Sequence, residues 1–243
     1  MSSTKMAVGF ISAPDWLDPA PDEFRELTNG RVAVQQTFLD PPNFDYQTES
    51  IAGCEPQLTH AAQHLAGAGC SIIASPATPF GFVGHQNISE ARARLTRIEQ
   101  ACGVECISSI DAIIEALETW QVRKVALACT YYPDEWRDLW SAFVSNSGFE
   151  VLSAASLVNQ GIKEPQGPDS IEYPTPSEIF ESVSKMAKDC PAADVIVVSG
   201  AGARTLAITE ELRATSGKRI IAADTGLFRK ICEKLKIDVS LKL

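Results

Sequence analysis

Short apolar segments rich in Val and Ile recur along the chain, and each is followed by a longer segment whose apolar residues lie three or four positions apart. The short pattern is typical of strands buried on both faces, and the longer one of helices that cover a parallel sheet. The predicted strands are Met6–Ser12, Val32–Leu39, Ser71–Ser75, Val104–Ser108, Lys124–Cys129, Glu150–Leu157, Asp194–Ser199 and Arg219–Ala223. The predicted helices are Pro21–Thr28, Ile51–Ala68, Ile88–Cys102, Ile110–Trp120, Asp134–Ser147, Pro176–Asp189, Arg204–Ser216 and Gly226–Lys236. The pattern therefore predicts an α/β protein.

Polar residues stand where several of these helices begin. Their side chains can accept hydrogen bonds from the free amides of a first helical turn. The predicted caps are Asn87 or Ser89, Ser109, and Thr175 or Ser177.

The strands divide into two sets of four whose ends resemble each other. A strand runs into Pro14-Asp15-Trp16 in the first half and into Pro133-Asp134-Glu135-Trp136 in the second, and a second pair of strand ends repeats at nearly the same offset. We therefore predict two pseudo-symmetric lobes, residues 1–120 and 121–243, each a four-stranded mainly parallel sheet flanked by helices. The last helix is free to pack on the first lobe. Two such sheets place their carboxyl ends at a shared cleft, where open α/β sheets bind ligands.

Composition narrows the range of partners. The chain has 21 Lys and Arg against 31 Asp and Glu, a net charge of −10, and we find no basic patch. Nucleic acid and anionic membranes are therefore not expected partners. No apolar run approaches the roughly 20 residues that a membrane span needs. A cytoplasmic location follows as an expectation, and a homo-oligomer is left open.

The seven cysteines are scattered and odd in number, which favours reduced thiols. The three histidines, His60, His64 and His85, form no zinc pattern with them, so no metal is predicted. We assign His60 and His64 to a solvated helix flank and His85 to a surface loop. Three tryptophans are assigned to the core: Trp16, Trp136 and Trp140.

Four strand ends are expected at the cleft: Ser12–Asp15, Ser75–Pro79, Cys129–Tyr132 and Ser199–Ala203. The amides of Ala77 and Thr78 and the Thr78 hydroxyl could bind an anion, or could form an ordinary turn. Tyr131 offers a phenol, or a ring packed in the core. The glycine-rich residues 200–203 would form an anion cradle that opens a helix. The loop Asn159–Tyr173 is either a lid or a solvated connection.

The same glycine-rich segment allows a weaker interpretation. Gly200 and Gly202 followed by Thr205 resemble part of a dinucleotide fingerprint, and Asp224 ends the next strand where a ribose-binding acid would stand. The third glycine of that fingerprint is missing.

Four segments taken together resemble a known family: residues 69–82, 102–106, 122–131 and 194–202. They are similar, in order and spacing, to the arylmalonate decarboxylase and maleate isomerase branch of the aspartate/glutamate racemase superfamily. The resemblance implies two α/β lobes, an active site between them that uses no cofactor, and chemistry at the carbon next to a carboxylate.

The resemblance also implies site residues. The substrate carboxylate and an enediolate-like intermediate would be held by Thr78, Tyr131 and the Ala201 amide, with Ser12 at the neighbouring strand end. Pro79 stands where a serine is expected. Ala77 and Gly200 stand where racemases carry their two catalytic cysteines, and the decarboxylase keeps the second of these.

Without those thiols, a two-base racemase and a thiol-adduct isomerase become unfavourable. Loss of CO₂ asks mainly for anion stabilisation, so the leading hypothesis is a lyase, decarboxylase-like, acting on a small mono- or dicarboxylic acid. Six groups are candidates for moving the proton: Tyr131, Tyr132, Asp15, Asp224, His85 and Cys129. The alternatives are an isomerase, hydratase or hydrolase that uses groups such as Asp15 and Asp224, and a non-catalytic protein that binds a small carboxylate or a nucleotide.

Overall fold

The computed structural model describes residues 6–165 and 172–239. Within these ranges, eight strands form two four-stranded sheets. The first sheet contains β1 (Ala7–Ser12), β2 (Ala33–Phe38), β3 (Ile72–Ser75) and β4 (Glu105–Ser108). The second contains β5 (Lys124–Ala128), β6 (Glu150–Ala155), β7 (Val195–Val198) and β8 (Arg219–Ala222). All eight predicted strands are confirmed, with ends displaced by at most two residues.

The two sheets have the same topology. Their strand orders are β2-β1-β3-β4 and β6-β5-β7-β8, and every neighbouring pair is parallel. In each sheet the chain goes from the first strand to one side and then crosses to the other, so the order reverses beside β1 and beside β5. Such reversals open a crevice at the carboxyl ends of the strands. The predicted pair of similar parallel sheets is confirmed.

The described residues form ten helices, of which the last follows the final strand: α1 (Ala20–Leu27), α2 (Thr48–Ala52), α3 (Glu55–Gly67), α4 (Pro79–Phe82), α5 (Ile88–Cys102), α6 (Ser109–Thr119), α7 (Asp134–Asn146), α8 (Pro176–Asp189), α9 (Thr209–Ser216) and α10 (Ala223–Leu235). The predicted helix Ile51–Ala68 is wrong as one element, because Pro56 lies in the first turn of α3. Proline has no amide hydrogen and is accepted only there, so a new helix begins. The short helix α4 was not predicted.

The helix predicted to begin at Arg204 begins at Thr209 instead. Arg204 has a left-handed φ of 47°, and the Thr205 amide and hydroxyl donate to the Asp224 carboxylate. These contacts hold the backbone out of the helical conformation. The prediction that residues 200–203 open a helix is therefore wrong.

The caps follow local chemistry closely. The Asn87 side chain accepts from the Ser89 and Glu90 amides, and Thr175 forms a capping box with Glu178. The third cap is Ser108, which accepts from the Asp111 amide, so the prediction of Ser109 is wrong by one residue. The Ser109 hydroxyl donates instead to the Pro76 carbonyl, at 3.0 Å.

The last helix packs against the first sheet. Leu227, Phe228 and Ile231 of α10 share a buried cluster with Val8 and Phe10 of β1. An ion pair accompanies the apolar contact, because Lys230 of α10 bonds Asp111 and Glu115 of α6. The two halves of the chain are thus joined through α10 as well as through the cleft.

Helices α8 and α9 cover the outer face of the second sheet, and a large cluster fills the space between the sheets. No helix within the described ranges is long and apolar enough to cross a membrane. The same residues contain no group of three or more His, Cys, Asp or Glu suited to a metal ion. Residues 166–171 of the predicted loop Asn159–Tyr173 lie outside the described residues.

Candidate active site

A cavity lies where the carboxyl ends of the two sheets meet. Each of β1, β3, β5 and β7 is followed by a segment that reaches it, so it sits at the reversal point of both sheets. Its lining consists of Ala13, Trp16, Tyr46, Ala77, Pro79, Phe80, Tyr131, Trp136 and Ala201. The enclosed volume is about 20 Å³, which is room for about one water molecule. A larger ligand therefore enters only when lining side chains shift.

The walls of the cavity are largely apolar. Three alanines and four other aromatic rings surround the Tyr131 phenol. The Tyr46 hydroxyl is already committed, because it donates to the Pro14 carbonyl. Water is thus largely excluded, and a polar group of a ligand would depend on the few donors that remain.

Tyr131 and Ala201 meet at one end of the cavity. Thr130 has a left-handed φ of 43°, and its hydroxyl donates to the Ser199 carbonyl at 2.7 Å. This bond ties the turn after β5 to the turn after β7. Burial raises the pKa of the Tyr131 phenol, and the nearby Asp18 carboxyl adds to this, while the Ala201 amide acts in the opposite direction. Tyr131 therefore remains protonated at neutral pH, and the Ala201 amide is directed at its phenol oxygen.

The Thr78 side chain lies behind the wall of the cavity. It is fully buried, and its hydroxyl shares a hydrogen bond with the Tyr132 phenol. Thr78 was predicted to point its hydroxyl at the substrate, whereas in the structure it faces Tyr132. Pro79, which begins α4, lines the cavity together with Ala77 and Phe80.

The two positions at which the resemblance implies catalytic cysteines in relatives, Ala77 and Gly200, differ from each other. Ala77 is 5% exposed and directs its small side chain at the cavity. Gly200 has a φ of 118°, and a Cβ there would overlap the Thr130 hydroxyl and lie 3.1 Å from Tyr131 Cε1. Only glycine adopts that backbone conformation without strain. Position 200 therefore has no room for a cysteine.

The two predicted acids do not line the cavity. Asp15 is exposed and has a left-handed φ of 51°. Asp224 is buried, and its carboxylate accepts from the Thr205 amide and hydroxyl at 2.5 and 2.6 Å and from the Thr225 amide at 2.8 Å. Although burial raises its pKa, Asp224 supports the turn after β7, in contrast to its predicted catalytic or ribose-binding role.

Three other predicted groups are also outside the lining. The Ser12 hydroxyl accepts from Gln36 Nε2 at 2.7 Å. Cys129 is fully buried, and burial raises the pKa of its thiol to about 12. His85 lies in a loop, as predicted, and is partly buried; burial together with Arg94 lowers its pKa to about 4.

Sequence reasoning missed most of the aromatic wall. Trp16, Trp136 and Trp140 were assigned to the core, and Trp136 and Trp140 are buried there. Trp16 is only partly buried, and both Trp16 and Trp136 also line the cavity. Tyr46 and Phe80 were not considered. The repeated Pro-Asp-Trp and Pro-Asp-Glu-Trp turns were the available signal, since each tryptophan follows a strand end at the cleft.

Two buried carboxyl groups lie beside this wall. Burial raises the pKa of Asp18 to about 6 and that of Glu23 to about 7, and Asp224 adds to both shifts. Arg204 opposes the shift of Glu23 across a 3.4 Å contact. Asp18 and Glu23 belong to the first half of the chain, and Arg204 and Asp224 to the second.

Comparison with known proteins gives a family match and several structures of similar fold. The model of the family described as arylmalonate decarboxylase matches residues 45–241. No curated protein matches the chain.

Three of the similar solved structures illustrate the fold. A crystal structure of arylmalonate decarboxylase has a TM-score of 0.74 and 17% identity, with 93% of this chain and 91% of that one covered. The maleate isomerase Iso from Pseudomonas putida has a TM-score of 0.78 and 17% identity, covering 97% and 96%. A maleate cis-trans isomerase from Nocardia farcinica bound to Tris has a TM-score of 0.74 and 16% identity, covering 97% and 95%. At these identities the likeness concerns the fold.

Proposed function

Because the chain belongs to the arylmalonate decarboxylase family, we propose that it is a cofactor-independent lyase that removes CO₂ from a small carboxylic acid. The substrate carries two carboxylates on one carbon, as a substituted malonate does. The observation that carries the proposal is the cavity itself, with apolar walls and with the Tyr131 phenol and the Ala201 amide at one end. Such a site suits the formation of one buried anion.

The reaction breaks one C–COO⁻ bond. The electron pair of that bond moves into the remaining carboxylate, which becomes an enediolate, and CO₂ leaves. The Tyr131 hydroxyl and the Ala201 amide stabilise the enediolate, because both donors are in place before the charge develops. The Tyr131 hydroxyl then gives its proton to the carbon, and the tyrosinate left behind takes up a proton from solvent water before the next turnover.

The aromatic wall favours the departure of CO₂. A carboxylate placed against rings such as Phe80 and Trp136 has lost much of its hydration, whereas CO₂ is neutral and has little to lose. The Thr78 hydroxyl does not line the cavity. Its effect on the reaction is indirect, through its hydrogen bond to the Tyr132 phenol.

Racemisation and thiol-dependent isomerisation are less well supported. Among the described residues that line the cavity there is no cysteine, and Gly200 leaves no space for one. The argument for a lyase is that it needs anion stabilisation and one proton, not two opposed bases or a nucleophile.

The test is CO₂ release by the purified protein from a panel of substituted malonates. Tyr131→Phe should lower kcat/KM by about tenfold or more, because a donor to the developing charge is lost. Tyr46→Phe is the matched control, since that phenol also lines the cavity but already donates to Pro14; its loss should be much smaller. Thr78→Ala should have an intermediate effect.

Full activity in Tyr131→Phe would contradict the site. No turnover of any malonate, combined with tight calorimetric binding of an unaltered carboxylate, would instead favour a binding protein. Turnover of maleate or of a hydroxy acid would favour the isomerase or hydratase alternatives.

A further inference from the structure

Trp16 has an indole N–H that no group of the protein accepts. Its Nε1 atom is buried and has no hydrogen-bond partner, although the ring lines the cavity beside Tyr131 and Ala201. A buried donor without an acceptor is unfavourable, and such donors in a native structure call for an explanation.

The ring is held firmly in place. Its centroid lies 4.4 Å from that of Tyr173 and 6.0 Å from that of Tyr131. Tyr173 in turn donates to the Leu17 carbonyl, one residue after Trp16. The segment that carries Trp16 leaves β1 through Asp15, whose left-handed φ of 51° turns the chain toward the second half. Two aromatic rings of the second half therefore hold this indole of the first half at the cavity.

Trp140 provides a comparison within the same molecule. Its Nε1 atom is also buried and unpartnered, but its ring packs on Phe82 and Phe143 in the core and does not reach the cavity. Both indoles have a buried N–H without an acceptor, but only the Trp16 ring lines the cavity in which a ligand could bind.

We propose that the Trp16 indole N–H donates a hydrogen bond to a carboxylate of the substrate, as a third donor beside the Tyr131 hydroxyl and the Ala201 amide. This inference rests on the proposed function for the identity of the ligand, a carboxylate with an apolar substituent. It assigns Trp16 a binding role that its ring packing alone would not require.

Phenylacetate is a suitable probe, because it combines a carboxylate with an aromatic ring. Trp16→Phe keeps most of the ring surface and removes the N–H. We expect it to weaken phenylacetate binding, measured by calorimetry, by about tenfold, as for the loss of a hydrogen bond to a charged group. For a malonate substrate KM should rise more than kcat falls. The thermal midpoint of the unliganded protein should not fall, and Trp140→Phe should leave binding unchanged.

A second measurement does not depend on any variant being stable. In ¹⁵N-labelled wild-type protein, the indole signals of the four tryptophans can be followed as phenylacetate is added. The Trp16 signal should move downfield as its N–H gains an acceptor, while the Trp140 signal stays in place.

Equal binding by Trp16→Phe, or an unmoved Trp16 signal at saturation, would overturn the proposal even if malonates are decarboxylated, and the proposed function would then stand without it. If the wild type neither binds phenylacetate nor turns over any malonate, both the inference and the proposed function are overturned. A loss of binding with a lower unliganded midpoint and no signal shift would mean a purely structural role.

Discussion

The turns after β3 and β7 hold equivalent places in two sheets of the same topology, yet their backbones differ. After β3 the chain passes through Thr78 at a φ of −56° and enters α4. After β7 it passes through Gly200 and Gly202 at φ values of 118° and 78°. The first turn is helical and carries side chains on the cavity wall, whereas the second presents mainly backbone.

The difference shows how one topology can serve two purposes. Strand order brings both turns to the cleft, but local backbone conformation decides whether a turn can offer a side chain or an amide there. A larger side chain could replace Ala77 in the first half. No side chain fits at Gly200 in the second half, because the backbone there packs closely on Thr130. The candidate site is therefore asymmetric although the fold is nearly symmetric.

Of the substitutions that test this comparison, Gly200→Ala should cause the largest loss of stability. The added Cβ overlaps the Thr130 hydroxyl and forces a side chain into a conformation that favours glycine, so we expect a loss of about 3 kcal/mol or more in the free energy of unfolding. Urea unfolding measures it. Ala77→Cys, at the equivalent turn and beside the cavity, should cost about 1 kcal/mol or less. Similar losses in both variants would contradict the asymmetry.

A second difference concerns one acid in each of the segments that follow β1 and β5, although the two are not equivalent positions of the repeat. Asp18 is buried, with its pKa raised to about 6, whereas the Asp134 side chain is 73% exposed. Between pH 4 and pH 6 the folded chain keeps a proton on Asp18 that the unfolded chain has released. The free energy of unfolding therefore falls as pH rises through this range.

Asp18→Asn should remove the part of this pH dependence that Asp18 contributes, while the part due to Glu23 remains. Between pH 5 and pH 8 the variant should gain on the order of 1–2 kcal/mol relative to wild type. Urea unfolding at both pH values is the measurement, with Asp134→Asn as the exposed control. If the free energy of unfolding differed between wild type and variant by the same amount at both pH values, Asp18 would have its ordinary pKa in the folded protein.

The smallest change in stability is expected at the start of the helix that follows the last strand of each sheet, α6 after β4 and α10 after β8. Ser108 caps α6 with its side chain, whereas Ala222 precedes α10 and has none to offer. Ser108→Ala should cost about 1 kcal/mol in the free energy of unfolding. Ser89→Ala is the control, because α5 is capped by Asn87. An equal cost in the two variants would argue against the Ser108 cap.

The strands and most helices could be predicted because their signals are local. A buried parallel strand needs a continuous apolar run, and Val195–Val198 or Lys124–Ala128 show it directly. One error has a local cause that a periodic pattern overlooks, and the other has a cause at a distance along the chain. Pro56 restarts a helix within an otherwise regular apolar spacing, and Thr205 is held out of a helix by Asp224, a residue far along the chain.

The candidate site was predicted less completely. Tyr131, Ala77, Pro79 and Ala201 were expected at the cleft from their positions at strand ends, and the structure brings them together around one cavity. The orientation of a side chain depends on its partners across the cleft, which no local pattern reveals. Thr78 faces Tyr132 for this reason, and Asp224 is engaged by Thr205.

By itself the sequence determined that the protein is built from two similar parallel sheets and that their carboxyl ends meet, because apolar runs, turn residues and an internal repeat are properties of neighbouring positions. Only the tertiary structure decided that Trp16 and Trp136 form the wall, that Gly200 has no space for a side chain, and that Asp18 and Glu23 are buried beside Arg204. Each of these facts depends on a contact between residues distant in the chain, and burial, strain and shifted pKa values arise only from such contacts.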